Sequence, residues 1–185
     1  MKSDLRKILI LDLESTCDDP KPRWTGEVIE IGIVVLDIKN LISEEQHQIL
    51  VTPTTTPITP FCTELTSITP EMVTIENGAK SFPMAMQWLS DIQDNLVGKK
   101  SRCTWASWGD FDRIQLENQC LQEKVKYPFG RTHFNIKALH AIRRGLTRGM
   151  GMKEAVEYEK LEFEGVHHRA LSDAINITKV FKKIL

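Results

Sequence analysis

Four apolar segments have the composition of β-strands and lie at residues 8–11, 28–36, 45–51 and 102–108. The first is an unbroken β-branched and leucine run that ends at Asp12, which is typical of a strand buried on both faces. The short gap at residues 37–43 predicts a hairpin between the second and third strands. Gly109 marks the end of the fourth strand.

Apolar residues at helical spacing predict helices near residues 81–96, 111–123, 136–143, 153–158 and 169–184. Ser81 is expected to cap the first of these, and Pro70 is placed to open a further short helix. The inner stripe of the last helix is predicted to contain Leu171, Ala174, Ile175, Thr178, Phe181 and Ile184. That stripe leaves Asp173 off the apolar face, so its carboxylate could reach the carboxylates of a neighbouring strand.

Two polar segments predict loops. Residues 17–26 contain Pro20 and Pro22, and residues 52–60 (TPTTTPITP) cannot sustain a hydrogen-bonded ladder. Neither segment has the composition of a linker between domains. Early strands followed by helices and a further strand predict a single α/β domain over residues 1–185.

Composition excludes several classes of protein. The hydrophobic and charged fractions, 41% and 26%, are those of an ordinary globular protein, and no stretch approaches the roughly 20 apolar residues of a membrane span. The first residues are charged and lead directly into a strand, so we expect no signal peptide. The cysteines lack CxxC spacing and predict reduced thiols in a cytoplasmic protein; they are Cys17, Cys62, Cys103 and Cys120.

Charge is unevenly distributed although the net charge is −1. Residues 1–123 carry 11 Lys/Arg against 19 Asp/Glu, whereas residues 124–185 carry 13 against 6. Between Lys124 and Lys153 there are eight basic residues and no acidic one, with aromatic residues interleaved. Such a stretch can contact a phosphate backbone. Taken alone, however, the charge is better explained by a solvated helix face and a loop.

Acidic residues stand at the ends of predicted elements. Asp12 and Glu14 are two residues apart in a strand, so they share a face, and a divalent cation of the Mg²⁺ or Mn²⁺ kind would relieve their repulsion. Solvation at a strand end is an equally good explanation of this pair. Asp110 and Asp112 stand at the start of a helix that they could cap. His167 and His168 could be a polar loop pair, with His167 in the Gly165–Val166 loop, and Asp173 could be a solvated helix acid.

Taken together, these residues resemble the DEDDh family of 3′→5′ exonucleases. The resemblance lies in Asp12-x-Glu14, Phe111-Asp112 and His168-x4-Asp173, and it extends over about residues 7–182. Within that family the chain is most similar to exoribonucleases of the enhancer-of-RNA-interference type. That narrower resemblance rests on DLESTC (12–17), FCTELTSIT (61–69), GDFD (109–112), NQC (118–120) and FNIK (134–137).

The resemblance implies a fold and a mechanism. The fold would be an RNase H-like mixed β-sheet flanked by helices. Two Mg²⁺ or Mn²⁺ ions, about 3.5–4 Å apart, would be held by the family's four carboxylates, which match Asp12, Glu14, Asp112 and Asp173. His168 would take the proton from the attacking water, because neutral imidazole is a suitable base near neutral pH.

The resemblance also implies a site for the departing nucleotide. Phe61 and Phe111 match aromatic residues that sandwich the terminal base, while Ser15 and Thr16 would contact the 3′-terminal sugar. Core packing is the simpler alternative for the two phenylalanines. The expected activity is release of nucleoside monophosphates from single-stranded 3′ ends of RNA. Two alternatives remain, the same chemistry on single-stranded DNA and a non-catalytic module that binds nucleic acid or another partner.

Overall fold

The computed structural model describes residues 6–19, 21, 25–98 and 103–185. Five strands form one mixed sheet in the order β3–β2–β1–β4–β5. Their bounds are β1 Lys7–Ser15, β2 Val28–Asp37, β3 Ile42–Leu50, β4 Thr104–Ser107 and β5 His133–Asn135. Strands β1, β2 and β3 are antiparallel neighbours, whereas β4 pairs in parallel with β1 and β5 in parallel with β4. The predicted α/β class and the central position of the first strand are confirmed.

The described residues also form six α-helices and one short 3₁₀-helix. They are α1 Pro60–Thr66, the 3₁₀-helix Pro70–Val73, α2 Phe82–Val97, α3 Phe111–Gln122, α4 Ile136–Arg144, α5 Met152–Tyr158 and α6 Ala170–Ile184. Five predicted helices therefore form with bounds shifted by at most one residue, and Pro70 opens the short helix as predicted. Ser81 occupies the cap position of α2, but its side chain makes no capping hydrogen bond. None of these helices is long and apolar enough to cross a membrane.

Two elements were not predicted. Helix α1 begins within the Thr/Pro-rich segment, where the Thr59 hydroxyl accepts a hydrogen bond from the Cys62 amide at 3.0 Å and Pro60 occupies the first turn. Strand β5 has only three residues and no apolar alternation, so its position depends on pairing with β4. Arg102 of the predicted fourth strand and Pro20 and Pro22 of the predicted loop lie outside the described residues.

The two faces of the sheet bury different helices, because successive strand residues point to opposite faces. Leu9 and Leu11 of β1 pack in a cluster with residues of α2 and α3. Ile8 and Ile10 pack on the other face with residues of α5 and α6. The end of β1 therefore lies between two helical layers. A polar side chain there is buried unless a cavity gives it access to solvent.

The predicted inner stripe of α6 was partly wrong. Leu171 and Ile175 are only half-buried, whereas Ile177 and Val180 are fully buried. Asp173 itself faces inward and is 5% exposed. The apolar spacing misplaced Asp173 because this helix packs across β1 and β2 with a carboxylate on its buried side.

Gly32 of β2 fixes how closely α6 approaches the sheet. A Cβ atom at this position would lie 2.2 Å from the Ala170 carbonyl carbon and 2.2 Å from the Leu171 nitrogen. Those atoms belong to the backbone of the first helical turn, so they cannot move aside as a flexible side chain could. The start of α6 is therefore in direct backbone contact with β2.

Candidate active site

Three carboxylates meet where β1 faces α6. Asp12 and Glu14 stand on one side of β1, opposite Gly32 and Glu30 of β2 in the register of the sheet. Carboxylate oxygens of Asp12, Glu14 and Asp173 all lie within 4.8 Å of one another. The solvated-acid explanation is therefore excluded for Glu14 and Asp173, which are only 8% and 5% exposed, whereas Asp12 is half-buried.

Asp112 joins this group from the first turn of α3. It is 4% exposed, and its Oδ1 accepts a hydrogen bond from the Leu13 amide at 3.0 Å. Asp110 occupies the cap position of the helix without a capping hydrogen bond, and instead accepts one from Asn135 Nδ2 at 2.9 Å. Asp112 thus ties α3 to the strand that carries Asp12 and Glu14.

The start of α6 supplies the histidine. His168 has a left-handed backbone conformation (φ 62°), and its amide donates to Asp173 Oδ2 at 3.2 Å. The other oxygen, Asp173 Oδ1, is buried without a hydrogen-bond partner among the described residues. His167 lies against the same site, since its ring centroid is 3.8 Å from that of His168. The sequence had assigned His167 to a separate loop, away from the site.

One cavity of about 420 Å³ brings these groups together. Its lining includes all five residues predicted to act in catalysis, together with Trp108, Phe111, Lys153 and His167. Three elements, the end of β1 and the starts of α3 and α6, contribute the four acids. We refer to this space as the acidic cavity.

Burial raises the pKa of the four predicted acids, and repulsion from neighbouring carboxylates adds to it for Asp12, Glu14 and Asp173. Burial is the main cause for Asp12, whose pKa lies well above its ordinary value, with Asp112 and Glu14 adding their charges. Burial and the Asp173 carboxylate raise the pKa of Glu14 to about 8. Burial raises the pKa of Asp112 to about 6 and that of Asp173 to about 7, partly offset by hydrogen bonds to each.

The donor set fits divalent cations that prefer oxygen ligands. Four crowded carboxylates cannot all ionise without compensating positive charge, and the partnerless Asp173 Oδ1 is a buried acceptor. Burial, with a contribution from the charge of Lys153, lowers the pKa of His168, so its imidazole is neutral at neutral pH. A neutral imidazole beside an acidic cation site can accept a proton from water.

A second cavity of about 530 Å³ adjoins the first, and both are lined by Leu13, Glu14 and Phe111. We refer to it as the side cavity. Phe111 is 59% exposed, so core packing is excluded for this ring. Phe61 is half-buried and lines neither cavity, whereas Leu65, one turn later in α1, lines the side cavity.

Ser15 and Thr16 both line the side cavity, but their hydroxyl groups differ in whether they already have hydrogen-bond partners. The Thr16 amide donates to the Glu27 carbonyl at 2.9 Å, and its hydroxyl accepts from the Glu27 amide at 2.8 Å and bonds Thr56 Oγ1 at 2.7 Å. The Ser15 hydroxyl has no partner among the described residues. Of the two residues, Ser15 is therefore the one whose hydroxyl has an unused hydrogen-bonding capacity, and its oxygen is buried.

The Thr/Pro-rich loop is held against this region by Glu27. Its carboxylate accepts hydrogen bonds from the amides and hydroxyls of Thr54, Thr55 and Thr56. Burial alone would raise the pKa of Glu27, but these hydrogen bonds outweigh burial and lower it to about 2. The conformation of this loop, which the sequence predicted as irregular, is therefore fixed by hydrogen bonds to the single carboxylate of Glu27.

A buried ion pair anchors the start of α6. Glu30 is fully buried and accepts hydrogen bonds from Arg169 Nη2 at 2.6 Å, Arg169 Nε at 3.1 Å and the Ala170 amide at 2.8 Å. Gln48 of β3 donates to the same carboxylate. Since Arg169 follows His168 directly, Glu30 holds the segment that carries the histidine.

Replacing Glu30 with alanine is expected to lower the free energy of unfolding by about 2–3 kcal/mol, because Arg169 and an amide lose their buried partner. Relief of the repulsion between Glu30 and Glu14 opposes this loss but is smaller than the cost of several unmade hydrogen bonds. Glu45→Ala is the control, since Glu45 pairs with His47 on the exposed edge strand, and it should cost less than about 0.5 kcal/mol. Urea denaturation of both variants measures the difference, and equal losses would contradict the anchoring role.

Some residues of the site were missed from the sequence. Leu65 lies within the FCTELT segment that had been noted for Phe61, so helical spacing could have indicated it. Lys153 ends the basic stretch, but nothing local separates it from the other cations. Phe129 and Tyr127 of that stretch pack in the core, where Phe129 stacks on Trp105 at 4.5 Å, so these two rings cannot interleave with nucleic acid.

Comparison of the sequence with known proteins finds matches to exonucleases. The family model for Exonuclease (RNase_T) matches residues 9–181. The human (Homo sapiens) 3'-5' exoribonuclease 1 is 29% identical over 185 residues, which cover 96% of this chain and 52% of the human protein. The chain spans about half the length of the first curated relatives it matches.

Solved structures agree with the sequence comparisons. The nuclease domain of 3'hExo, a DEDDh family member bound to rAMP, superposes with a TM-score of 0.88 at 27% identity, covering 99% of this chain and 93% of that chain. A 3'-exonuclease structure described as showing 3'-end specific recognition of a histone mRNA stem-loop also has a TM-score of 0.88 at 27% identity. It covers 98% of this chain and 64% of that chain. The predicted RNase H-like mixed sheet is therefore confirmed.

Proposed function

The chain belongs to the Exonuclease (RNase_T) family, and we propose that it is a metal-dependent 3′→5′ exoribonuclease. It would hydrolyse the last phosphodiester bond of a single-stranded RNA and release a nucleoside 5′-monophosphate. The observation that carries the proposal is the meeting of four carboxylates and a neutral histidine in one cavity, beside a second cavity with an exposed aromatic ring. The matched relatives named as exoribonucleases support RNA as the substrate.

The acids are assigned to binding divalent cations. Asp12, Glu14 and Asp173 offer oxygens within 4.8 Å of one another, and Asp112 lines the same cavity. Bound Mg²⁺ or Mn²⁺ would supply positive charge that favours ionisation of the attacking water and stabilises the leaving 3′ oxygen. Asp112 keeps its place through the Leu13 amide, and Asp173 through the His168 amide, so both are oriented before a ligand binds.

His168 is assigned as the general base. Its imidazole would accept the proton of the attacking water as the new oxygen–phosphorus bond forms and the bond to the 3′ oxygen breaks. The departing 3′ oxygen then gains a proton from solvent, which balances the hydrolysis. The left-handed backbone at His168 and the Glu30–Arg169 ion pair that follows hold the ring at the mouth of the acidic cavity.

The side cavity is assigned to the terminal nucleoside. Phe111 and Leu65 line it and offer apolar surface to a base, which can stack without regard to its identity. Ser15 lines the same cavity, and its hydroxyl, which has no partner among the described residues, is assigned to contact the sugar. This arrangement recognises a chain end and needs no base sequence.

Matched RNA and DNA oligonucleotides of one sequence test the proposed activity. A 3′ label should be released at once as a mononucleotide, whereas a 5′-labelled chain should shorten step by step, and RNA should be degraded faster than DNA. Asp12→Asn provides the inactive control. Early internal cuts would point to an endonuclease, faster loss of DNA would make it a DNA exonuclease, and binding without cleavage would favour the non-catalytic alternative.

Phe61→Ala is expected to weaken binding of adenosine 5′-monophosphate about 5- to 100-fold, the range for losing one stacking contact. The resemblance of FCTELT to the family motif motivates this change, although Phe61 lines neither cavity before a ligand binds. Isothermal titration calorimetry measures the affinity, with Leu121→Ala on the exposed side of α3 as the control. Unchanged affinity with a sharply lower melting temperature would make Phe61 a packing residue.

A further inference from the structure

Lys153 brings a positive charge into the acidic cavity. Among the described residues that line this space, it is the one lysine or arginine. It stands in the first turn of α5. Trp108, Gly151 and His167 line the acidic cavity with it, and none of these four residues lines the side cavity. Lys153 therefore does not border the proposed nucleoside site.

The segment that carries Lys153 is firmly packed. Met152, Ala155 and Val156 of α5 are buried in the core beneath the sheet. The Trp108 indole nitrogen donates to the Met150 carbonyl at 3.1 Å and ties this segment to the end of β4. The position of Lys153 is therefore set by the fold, while its long side chain remains free to meet a ligand.

Lys153 makes no ion pair with another described residue, although acids surround it. Glu154, its neighbour, accepts a hydrogen bond from the Gly151 amide at 3.2 Å. The four acids are assigned to divalent cations, which would leave the ammonium group without an anionic partner. Its charge reaches both histidines of the cavity, where it adds to burial in lowering the pKa of His167 and His168.

We propose that Lys153 binds the internucleotide phosphate immediately 5′ of the scissile one, and so favours polynucleotide ends over esters with a single phosphate. This inference rests on the proposed function. With the terminal nucleoside in the side cavity and the scissile phosphate at the acids, the part of the acidic cavity left for the rest of the chain is the part that Lys153 lines. An ammonium group is a point charge that suits a backbone phosphate of any sequence.

Two substrates separate this role from a general effect on catalysis. One is a single-stranded RNA oligonucleotide, and the other is the p-nitrophenyl ester of thymidine 5′-monophosphate, which has the scissile phosphate but no second one. Lys153→Ala should lower kcat/KM on RNA about tenfold, mainly through KM, as loss of one charge-assisted contact does. The loss on the ester should be several times smaller. Lys153→Arg should retain most of the activity on RNA.

Salt dependence gives an independent measurement. Removing one phosphate contact should reduce the slope of log affinity against log salt concentration by about 0.7 to 1 for RNA. Lys39→Ala, in the exposed turn between β2 and β3, is the control and should leave rates and slope unchanged.

The outcomes are distinct. Equal losses on RNA and ester, or no loss on RNA, would overturn the role of Lys153 while the wild-type protein still hydrolyses both substrates. Wild-type protein that hydrolyses neither substrate would overturn the proposed function itself.

Discussion

Chelation of divalent cations with EDTA is expected to abolish RNA cleavage, and Mg²⁺ or Mn²⁺ should restore it, with Mn²⁺ at least as effective. The four candidate ligands are all carboxylates, and oxygen ligands suit these hard cations. Three of the four offer oxygens within 4.8 Å of one another, which is costly for charged groups without a cation. Cleavage of labelled RNA before and after addition of each metal measures the effect.

Metal binding should also change how stability depends on pH. Without metal, the pKa values of Asp112, Asp173 and Glu14 are raised to about 6, 7 and 8. The folded protein then holds protons that the unfolded chain releases near its lower pKa values, about 4. This contribution to stability is complete below about pH 4 and is lost as pH rises through the folded pKa values. EDTA-treated protein should therefore melt at a lower temperature near pH 8 than near pH 5.5.

Added metal should reverse this trend, because binding requires deprotonated carboxylates and becomes tighter as pH rises. Asp112→Asn is the matched variant, since it keeps the side-chain shape but removes one charge. It should lose nearly all activity and show a weaker effect of metal on the melting temperature. Robust cleavage in excess chelator, or a melting temperature that metal does not change, would contradict the assignment of the acids.

Replacing His168 with alanine is expected to slow cleavage by about 10²–10⁴-fold, the range for removing a general base. Binding of Mn²⁺ and of adenosine 5′-monophosphate should remain close to wild type, since the histidine is assigned to accept a proton and the acids to hold metal. His167→Ala should cost much less, although the two rings lie 3.8 Å apart, because only His168 stands next to the anchored start of α6. Single-turnover cleavage by both variants is the measurement.

The pH profile supplies a second test of the same assignment. Burial, followed by the charge of Lys153, lowers the pKa of His168 below its ordinary value. The base form is therefore present at neutral pH, and the wild-type rate should fall only as the solution becomes acidic enough to protonate the ring. Equal losses in the His167 and His168 variants, or a loss of Mn²⁺ binding in His168→Ala, would show that the assignment is wrong.

Local sequence was enough to predict the elements that build the site. The run before Asp12 predicts a buried strand by itself, and the spacing of Asp12 and Glu14 on that strand defines a shared face without any knowledge of the fold. Helix α3 and the start of α6 follow equally from apolar periodicity. The four acids could therefore be assigned before their contacts were known, through their resemblance to a family pattern.

Features that depend on tertiary packing could not be predicted in the same way. The buried side of α6 is set by its contact with β2, and counting apolar residues placed Asp173 on the wrong side. Strand β5 is too short to have a pattern of its own, and it exists because β4 offers a partner. Lys153 enters the site through the position of a whole helix, which no local signal encodes.

The close approach of Gly32 to α6 has a consequence for interpreting genetic variants. Any side chain at Gly32 would displace the first turn of the helix that carries His168 and Asp173 into the site. In a saturation screen scored by RNA degradation, Gly32 should therefore tolerate as few replacements as the acids themselves, although it lies in the middle of a strand. A loss-of-function substitution at this position would indicate a displaced helix. It would not indicate the loss of a catalytic group, because glycine has no side chain that could supply one.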